Sequence, residues 1–240
     1  MNRFSRLFLA GGQNAVPLSG WFLGGWSAGT TLAVFWFENL ALTVFIAARI
    51  AAHWQATRTR GHQGGFLRTF LFTSLAFTLA HGVFLAIVIS RLPEGSVVRE
   101  DVVRGVQWML AAQAASLMLD LWRIGVWPFA EVRARTEWVL GRVVVVHLSI
   151  LVGMFLFMAF DRPAWFFTLF LVFKAMMDIG SLLPRWEPKE PPAFLVHVMN
   201  SVPKQKGKGK QEESFTDDWR RTKGEEMQKK ARDEEVVEGA

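Results

Sequence analysis

The sequence predicts an all-α fold: a polytopic helical membrane bundle of five to six transmembrane helices, followed by a disordered, charged C-terminal tail. Two observations predict this class. Residues 1–184 contain several apolar runs of about 20 residues, the length of a helix that crosses a bilayer. A soluble fold would need several long helices that are apolar on every face, which is rare outside membranes. After Pro184 the composition becomes polar, so we expect a transmembrane domain at 1–184 and a cytoplasmic tail at 185–240.

Turn residues and charges separate the apolar runs into spans. Gly24 and Gly25 precede the second span, Pro93 lies between the third and the fourth, and Pro163 lies between the last two. Pro17 makes the first span the weakest, so a five-span arrangement in which this segment does not cross is the main alternative. The expected spans are about 5–23, 27–51, 66–90, 105–124, 139–160 and 164–183.

The arginines indicate an orientation. With a cytoplasmic N-terminus, most arginines that flank the six spans fall on the cytoplasmic side, as the positive-inside rule requires. These cytoplasmic arginines are Arg3, Arg6, Arg49, Arg58, Arg60, Arg68, Arg123, Arg133, Arg135 and Arg142. We therefore expect a multi-pass protein of the bacterial cytoplasmic (inner) membrane, with both termini in the cytoplasm and the lipid bilayer as its partner. The net charge of +6 is explained by these flanking arginines, so no nucleic acid is expected.

The tail carries two features of its own. Residues 192–200 are apolar enough to form a short interfacial helix, and a transient helix is expected near 217–237. A run of alternate lysines could attract anionic lipid headgroups. These lysines are Lys204, Lys206, Lys208 and Lys210. A solvated linker is an equally good interpretation of this run.

Ionisable side chains inside the apolar spans are the candidate functional residues, because a charge in hydrocarbon requires a partner. Counting 1.5 Å per residue places Glu38 and His81 at the same height, roughly 20 Å above the cytoplasmic edge. Asp120, His147, Lys174 and Asp178 lie only about 6–14 Å above that edge, which predicts a second polar layer. The expected polar core is Glu38, Asn39, His81, Asp120, His147, Lys174 and Asp178.

Helical spacing predicts two polar stripes that face the interior. Ser74 and Thr78 share a face with His81, and Gln113 and Ser116 share a face with Asp120. Two ion pairs within single helices are also expected, Lys174 with Asp178 and Asp120 with Arg123. Packing by side-chain hydrogen bonds is the structural alternative to a functional role for these groups. The remaining histidines are expected to be solvated in loops or tail: His53, His62 and His197.

The chemistry leaves three functions open. Transport or proton and ion conduction is natural for His and Glu side chains inside a membrane. A membrane-embedded, metal-assisted enzyme is the second, with Glu38 and His81 as weak metal-ligand candidates. The third is an accessory or scaffold protein that recruits a partner through its tail. The chain has no cysteine, and it lacks a nucleophile elbow and a phosphate-binding loop. No cofactor is expected, and enzymatic activity is left open.

Several motifs resemble a known family. WFENLALTVFIAARI at 36–50, the His81–Gly82 pair, RVVVVHLSILVG at 142–153 and KAMMD at 174–178 resemble the bacterial membrane proteins grouped as domain of unknown function 6498. The resemblance covers about 5–184 and leaves the tail outside. It implies a multi-span bundle and marks six family positions, Glu38, Asn39, His81, His147, Lys174 and Asp178. It implies no activity, because the family is uncharacterised.

Overall fold

The computed structural model describes residues 19–90, 97–141, 190–201 and 215–237, together with the single residues Val16, Val143, Met176 and Pro188. After a helical turn at 19–22, six longer helices follow one another in these ranges. They are α1 (Ala28–Thr57), α2 (Phe66–Ile89), α3 (Arg99–Leu121), α4 (129–141), α5 (Ala193–Ser201) and α6 (Phe215–Asp233). No β-strand occurs in the described ranges, so the all-helical class predicted from the sequence is confirmed there.

Helix α1 is the central helix of the described bundle and packs against both α2 and α3. Its N-terminal capping residue is Ser27, whose side-chain oxygen accepts a hydrogen bond from the Thr30 N–H at 3.1 Å and so satisfies one of the free donors of the first turn. Its C-terminal capping residue is Arg58, which adopts a left-handed conformation with φ 51°. The second span was expected to end at residue 51, so α1 continues about one and a half turns further.

A short turn reverses the chain between α1 and α2. It contains a 3₁₀ helix, Arg60–His62, followed by Gly64 and Gly65 with φ of 77° and 82°, values that suit glycine. The two helices are antiparallel, because Leu32 packs with Leu85 near one end and Ile50 shares a cluster with Phe70 near the other. A hydrogen bond from Trp36 Nε1 to the Thr78 carbonyl, 2.9 Å long, fixes the same register between them.

Helix α3 runs parallel to α1. At one end the Val98 N–H donates to Thr30 Oγ1 at 2.8 Å, and at the other Arg49 pairs with Asp120. The helix begins at Arg99, six residues before the expected start of the fourth span. Glu100 and Asp101 lie in its first turn, where acidic side chains interact favourably with the helix dipole. Part of the segment that was expected to connect the third and fourth spans, 91–104, is therefore the first turn of a helix.

The outer surface of this bundle is apolar. Large hydrophobic side chains of α2 and α3 are exposed, among them Phe72, Leu79, Val83, Trp108 and Met118. Two helices, α1 over Ala28–Thr57 and α2 over Phe66–Ile87, are long and apolar enough to cross a membrane. Because many buried side chains of the same helices are polar, the described helices have an apolar exterior around a polar interior.

The described chain after α3 corrects two predictions. Residues 125–138 were expected to lie between the fourth and fifth spans, but α4 already begins at residue 129. The tail was expected to be disordered, with at most a transient helix, but α6 is formed over Phe215–Asp233. Its end contacts the α1–α2 turn, where Val236 forms a single antiparallel bridge with Thr59. Tertiary contacts of residues 233–237 give this polar segment a defined structure. The short helix expected at 192–200 is formed as α5, Ala193–Ser201.

Several predictions fall outside the described residues. They include most of the first span, 5–23, most of the fifth, 139–160, and all of the sixth, 164–183, apart from Met176. The polar residues His147, Lys174 and Asp178 and the alternate lysines Lys204, Lys206, Lys208 and Lys210 also lie outside.

Candidate functional site: a buried polar column

Polar side chains line the interior face of α1 and parts of the interior faces of α2 and α3. We call this set the polar column. Its members are Glu38, Asn39, Thr43, Arg49, His53, Ser74, Thr78, His81, Gln113, Ser116 and Asp120, all of them buried. On α2 the buried positions are spaced by three or four residues, and so are those on α3, which is the spacing of one helix face.

Glu38 and His81 occupy the upper level of the column, on α1 and α2 respectively. Both are almost fully buried, with 1% and 2% of their surface exposed. The pairing of Leu32 with Leu85 places Glu38 within about two residues of the height of His81, a difference of ~3 Å along the axis. The two side chains therefore lie at similar depths on neighbouring helices. A direct contact between them stays a prediction.

The middle level contains hydroxyl and amide groups. The registers of α1 with α2 and α3 place Thr43, Ser74 and Gln113 within about one residue of the same height. Ser74 Oγ, Thr78 Oγ1 and Gln113 Nε2 are buried and have no hydrogen-bond partner within the described part of the chain. Because an unsatisfied buried polar atom costs about 1–3 kcal/mol, such atoms in native proteins usually bind water or a ligand.

The lower level is an ion network. Arg49 Nε lies 2.8 Å from Asp120 Oδ2, and Arg49 Nη2 donates to Ser116 Oγ at 3.0 Å. Arg135 of α4 reaches the same Asp120 oxygen at 3.2 Å and pairs with Glu131 at 3.1 Å. Two arginines thus face two carboxylates, and the network is neutral overall. It joins α1, α3 and α4.

This network corrects two interpretations of the sequence. Arg49 was assigned to the cytoplasmic flank of a span, but α1 continues past it and only 5% of its surface is exposed. Asp120 was expected to pair with Arg123. Instead the helix ends at Leu121, Arg123 adopts a non-helical conformation and is exposed, and Asp120 pairs with Arg49 and Arg135.

Sequence spacing could have identified Arg49. Glu38, Leu42, Ile46, Arg49 and His53 are spaced by four, four, three and four residues along α1, and all five are buried. Extending the stripe from Glu38 along one helix face would have included both Arg49 and His53.

A histidine pair lies at the end of the column. His53 and His62 were expected to be solvated, but 0% and 9% of their surfaces are exposed, because the 3₁₀ turn folds His62 back onto α1. His53 Nδ1 lies 2.7 Å from His62 Nε2, and His53 Nε2 lies 3.0 Å from the Trp127 carbonyl. A carbonyl only accepts, so His53 carries its proton on Nε2, and His62 Nε2–H donates to His53 Nδ1.

Three aromatic rings pack around His62. The ring of Phe129 is 4.8 Å from that of His62, and Trp54 and Phe66 lie at 5.5 and 6.0 Å. Burial, and secondarily the neighbouring His53, lower the pKa of His62 to about 4. The His62 imidazole is therefore neutral near pH 7. His197, in contrast, is exposed on α5.

We define the basic end of the bundle as the region formed by residues 53–68 and 120–135, where α1 ends, α2 begins and α3 ends. Six arginines that the sequence placed on the cytoplasmic side belong to this end: Arg58, Arg60, Arg68, Arg123, Arg133 and Arg135. At the opposite end, Arg99 and Arg104 are accompanied by Glu100 and Asp101 in the first turns of α3.

The described part of the structure brings no further metal-ligand residue next to Glu38 and His81. Within the described ranges, no three His, Asp or Glu side chains come together as a metal site. Glu38 and His81 would supply two ligands of suitable type. The metal-assisted alternative stays a prediction. Elemental analysis of the purified parent and of His81→Ala tests it, and a stoichiometric metal lost in the variant would support it.

These features define a class of protein: a helical bundle with membrane-length helices and a polar interior. The chain belongs to a family of unknown function, DUF6498, whose model matches residues 2–209. The resemblance seen in the sequence is thereby confirmed, and the match extends beyond residue 184 to include α5. No curated protein and no solved structure matches the chain.

Proposed function

We propose that this chain is a multi-pass integral membrane protein that conducts protons through its polar column. The observation that carries the proposal is a set of buried polar atoms without a hydrogen-bond partner in the described part of the chain: Ser74 Oγ and Gln113 Nε2 in the middle level, and Thr78 Oγ1 near the height of Glu38. Water bound to these atoms would connect the titratable groups above and below them, because imidazole and carboxyl groups exchange protons through hydrogen-bonded water.

The distances along α1 explain why such water is needed. Glu38 and Arg49 are eleven residues apart, which corresponds to about 16 Å along the helix axis, far beyond a hydrogen bond. The hydroxyl and amide groups of the middle level divide this gap. At the basic end, the hydrogen bond between His53 and His62 supplies two imidazoles in series, an arrangement that passes a proton by exchange of tautomers.

The Arg49–Asp120 pair serves as the electrostatic barrier of the path in this proposal. A fixed guanidinium in a narrow interior repels small cations, hydronium included, so in this proposal protons would pass it only by relay through the neighbouring Asp120 carboxylate, a route that metal cations cannot use. Protonation of Asp120 would weaken its attraction for Arg49 and change that barrier.

We further propose that the basic end faces the cytoplasm of a bacterial cell. Six spans then give cytoplasmic N- and C-termini, and the arginine-rich turns satisfy the positive-inside rule. Labelling of Arg232→Cys in intact and permeabilised cells tests this orientation. Reaction with an impermeant thiol reagent only after permeabilisation supports it, and equal reaction in intact cells contradicts it.

Proton flux into proteoliposomes tests conduction. The purified protein is reconstituted with an internal pH-sensitive dye, and a potassium diffusion potential drives proton entry. We expect the parent to acidify the lumen faster than protein-free vesicles, and Glu38→Gln to reduce the flux at least tenfold. Glu137→Gln is the matched control, because Glu137 is exposed on α4, and it should leave the flux unchanged. A parent flux equal to that of protein-free vesicles would overturn the proposal, and so would full flux in Glu38→Gln.

A further inference from the structure

The start of α4 lacks a capping side chain of its own. The helix begins at residue 129, so the capping position is Pro128, which offers no side-chain acceptor for the free N–H groups of the first turn. Glu234 supplies it from the far end of the chain. Its Oε2 accepts from the Phe129 N–H at 2.7 Å, and its Oε1 accepts from the Ala130 N–H at 2.9 Å. One carboxylate therefore satisfies two backbone donors of α4.

The main chain on either side of Glu234 adds a second set of contacts. The Arg60 N–H donates to the Glu235 carbonyl at 2.7 Å, and the Val237 N–H donates to the Arg58 carbonyl at 2.9 Å. These two bonds flank the bridge between Thr59 and Val236. The segment 235–237 is thus paired with residues 58–60 as a short antiparallel ribbon, a common way of holding an extended peptide.

Two ion pairs select an acidic segment. Arg60 lies 2.6 Å from Glu235, and Arg133 lies 3.3 Å from Asp233. Three consecutive acidic residues thus each find a basic or N–H partner at the basic end. The Arg60–Glu235 pair is about half exposed on both sides, and ion pairs of this kind are weak. Such contacts suit docking that can be reversed.

The position of the segment relative to the family match is also informative. The family model ends at residue 209, so α6 and residues 233–237 are an addition to the family region, yet they dock onto it. The docked segment also lies next to the histidine pair, because Phe129 carries an N–H bound by Glu234 and packs its ring against His62.

We propose that residues 58–60 and 129–133 form a recognition site for an acidic peptide segment, and that the chain's own residues 233–237 are its exchangeable ligand. The Glu234 carboxylate on the first turn of α4 decides the affinity, and the 58–60 ribbon sets the direction of the peptide. Release of the segment uncovers the basic end beside His62. This proposal stands independently of proton conduction.

A distance measurement on the full chain tests the docked state. Because the chain has no cysteine, spin labels can be placed at Gln63→Cys and Arg232→Cys, two exposed positions on either side of the contact. We expect a short, narrow distance distribution in the parent and a broad one with Glu234→Gln. Glu225→Gln removes the same charge from an exposed position of α6 and should leave the distribution narrow. A broad distribution in the parent, or a narrow one with Glu234→Gln, would overturn the proposal.

Peptide binding tests exchange directly. A fluorescent peptide with the sequence of residues 228–240 is titrated into the full chain carrying Glu234→Gln. We expect this variant to bind the peptide at least tenfold more tightly than it binds the same peptide with Gln in place of Glu234. We also expect the variant to bind the peptide at least tenfold more tightly than the parent does, because the parent's own segment competes for the site. Equal affinity of the two peptides would show that the carboxylate is not recognised. Docking of the segment only between two copies of the chain, detected as a concentration-dependent spin–spin distance, would contradict the intramolecular assignment.

Discussion

Arg49 Nε lies 2.8 Å from Asp120 Oδ2, and both side chains are buried, with 6% and 2% exposed. The two residues are 71 positions apart and belong to the parallel helices α1 and α3. Their pair closes the lower level of the polar column and fixes the register of the two helices. Because each buried charge compensates the other, removing either side chain would leave an uncompensated charge in the interior and destabilise the fold.

We therefore expect Asp120→Asn to destabilise the protein by about 3–5 kcal/mol, because it leaves the Arg49 guanidinium buried without its carboxylate. Arg49→Lys should cost less, since the charge remains, although a lysine cannot reproduce the planar contacts to both Asp120 and Ser116. Chemical unfolding in detergent micelles measures both. Glu137→Gln is the control, because its exposed i,i+4 pair with Arg133 contributes only about 0.3–0.5 kcal/mol. An Asp120→Asn variant as stable as this control would refute the structural role of the pair.

The histidine pair predicts a pH dependence of stability. The pKa of His62 is about 4 in the folded chain, against an ordinary value of 6.5. Between these values the unfolded chain binds the extra proton and the folded chain does not, so stability is lost as the pH falls from about 6.5 towards 4 and levels off below. His62→Gln should flatten this part of the stability curve.

His197→Gln is the control for this pH dependence, because His197 is exposed on α5. The slope of the parent between pH 6.5 and 4 should remain in this variant. Stability that rises as the pH falls through this range, or an unchanged slope in His62→Gln, would contradict the burial of a neutral His62.

The close approach of α1 and α2 at Gly82 leaves no room for a larger side chain. A Cβ atom at this position would lie 2.8 Å from Trp36 Nε1 and 3.2 Å from Trp36 Cε2. Gly82→Ala must displace the indole that donates to the Thr78 carbonyl, and we expect a loss of about 1–3 kcal/mol. Gly141→Ala is the matched control, since nothing lies within 4 Å of its Cβ position, and alanine favours the helix by about 1 kcal/mol. Equal thermal midpoints for the two variants would argue against the close approach.

The helical elements and the two polar stripes follow from local spacing. Apolar length predicted α1 and α2, and the three- and four-residue spacing of Ser74, Thr78 and His81 predicted a face that the structure buries. His53 was misassigned because the second span was expected to end at residue 51, and the buried partner of Arg49 was missed because this arginine was interpreted only as a cytoplasmic flanking charge. The helix in fact continues to Thr57, and α3 and the 3₁₀ turn supply the partners of these side chains.

The remaining features depend on contacts between distant parts of the chain, which periodicity does not encode. His62 is buried by a 3₁₀ turn, and no spacing rule places that turn against α1. The end of α6 is ordered by Glu234, whose carboxylate accepts hydrogen bonds from the N–H groups of Phe129 and Ala130, more than 100 residues away in sequence. A charged segment after a glycine- and lysine-rich linker is typical of disorder. Only its tertiary contacts distinguish this ordered segment from a disordered tail.

Thiol accessibility along α2 tests the polar interior most directly. In the cysteine-free parent, Ser74→Cys and Thr78→Cys place a thiol in the column, whereas Leu75→Cys and Leu79→Cys place one on the exposed apolar face. In membranes, a water-soluble maleimide should label positions 74 and 78, which reach the water of the column, and spare positions 75 and 79, which face lipid. Labelling of 75 and 79 with 74 and 78 protected would contradict the account, because the apolar face would then be in water and the column would be closed.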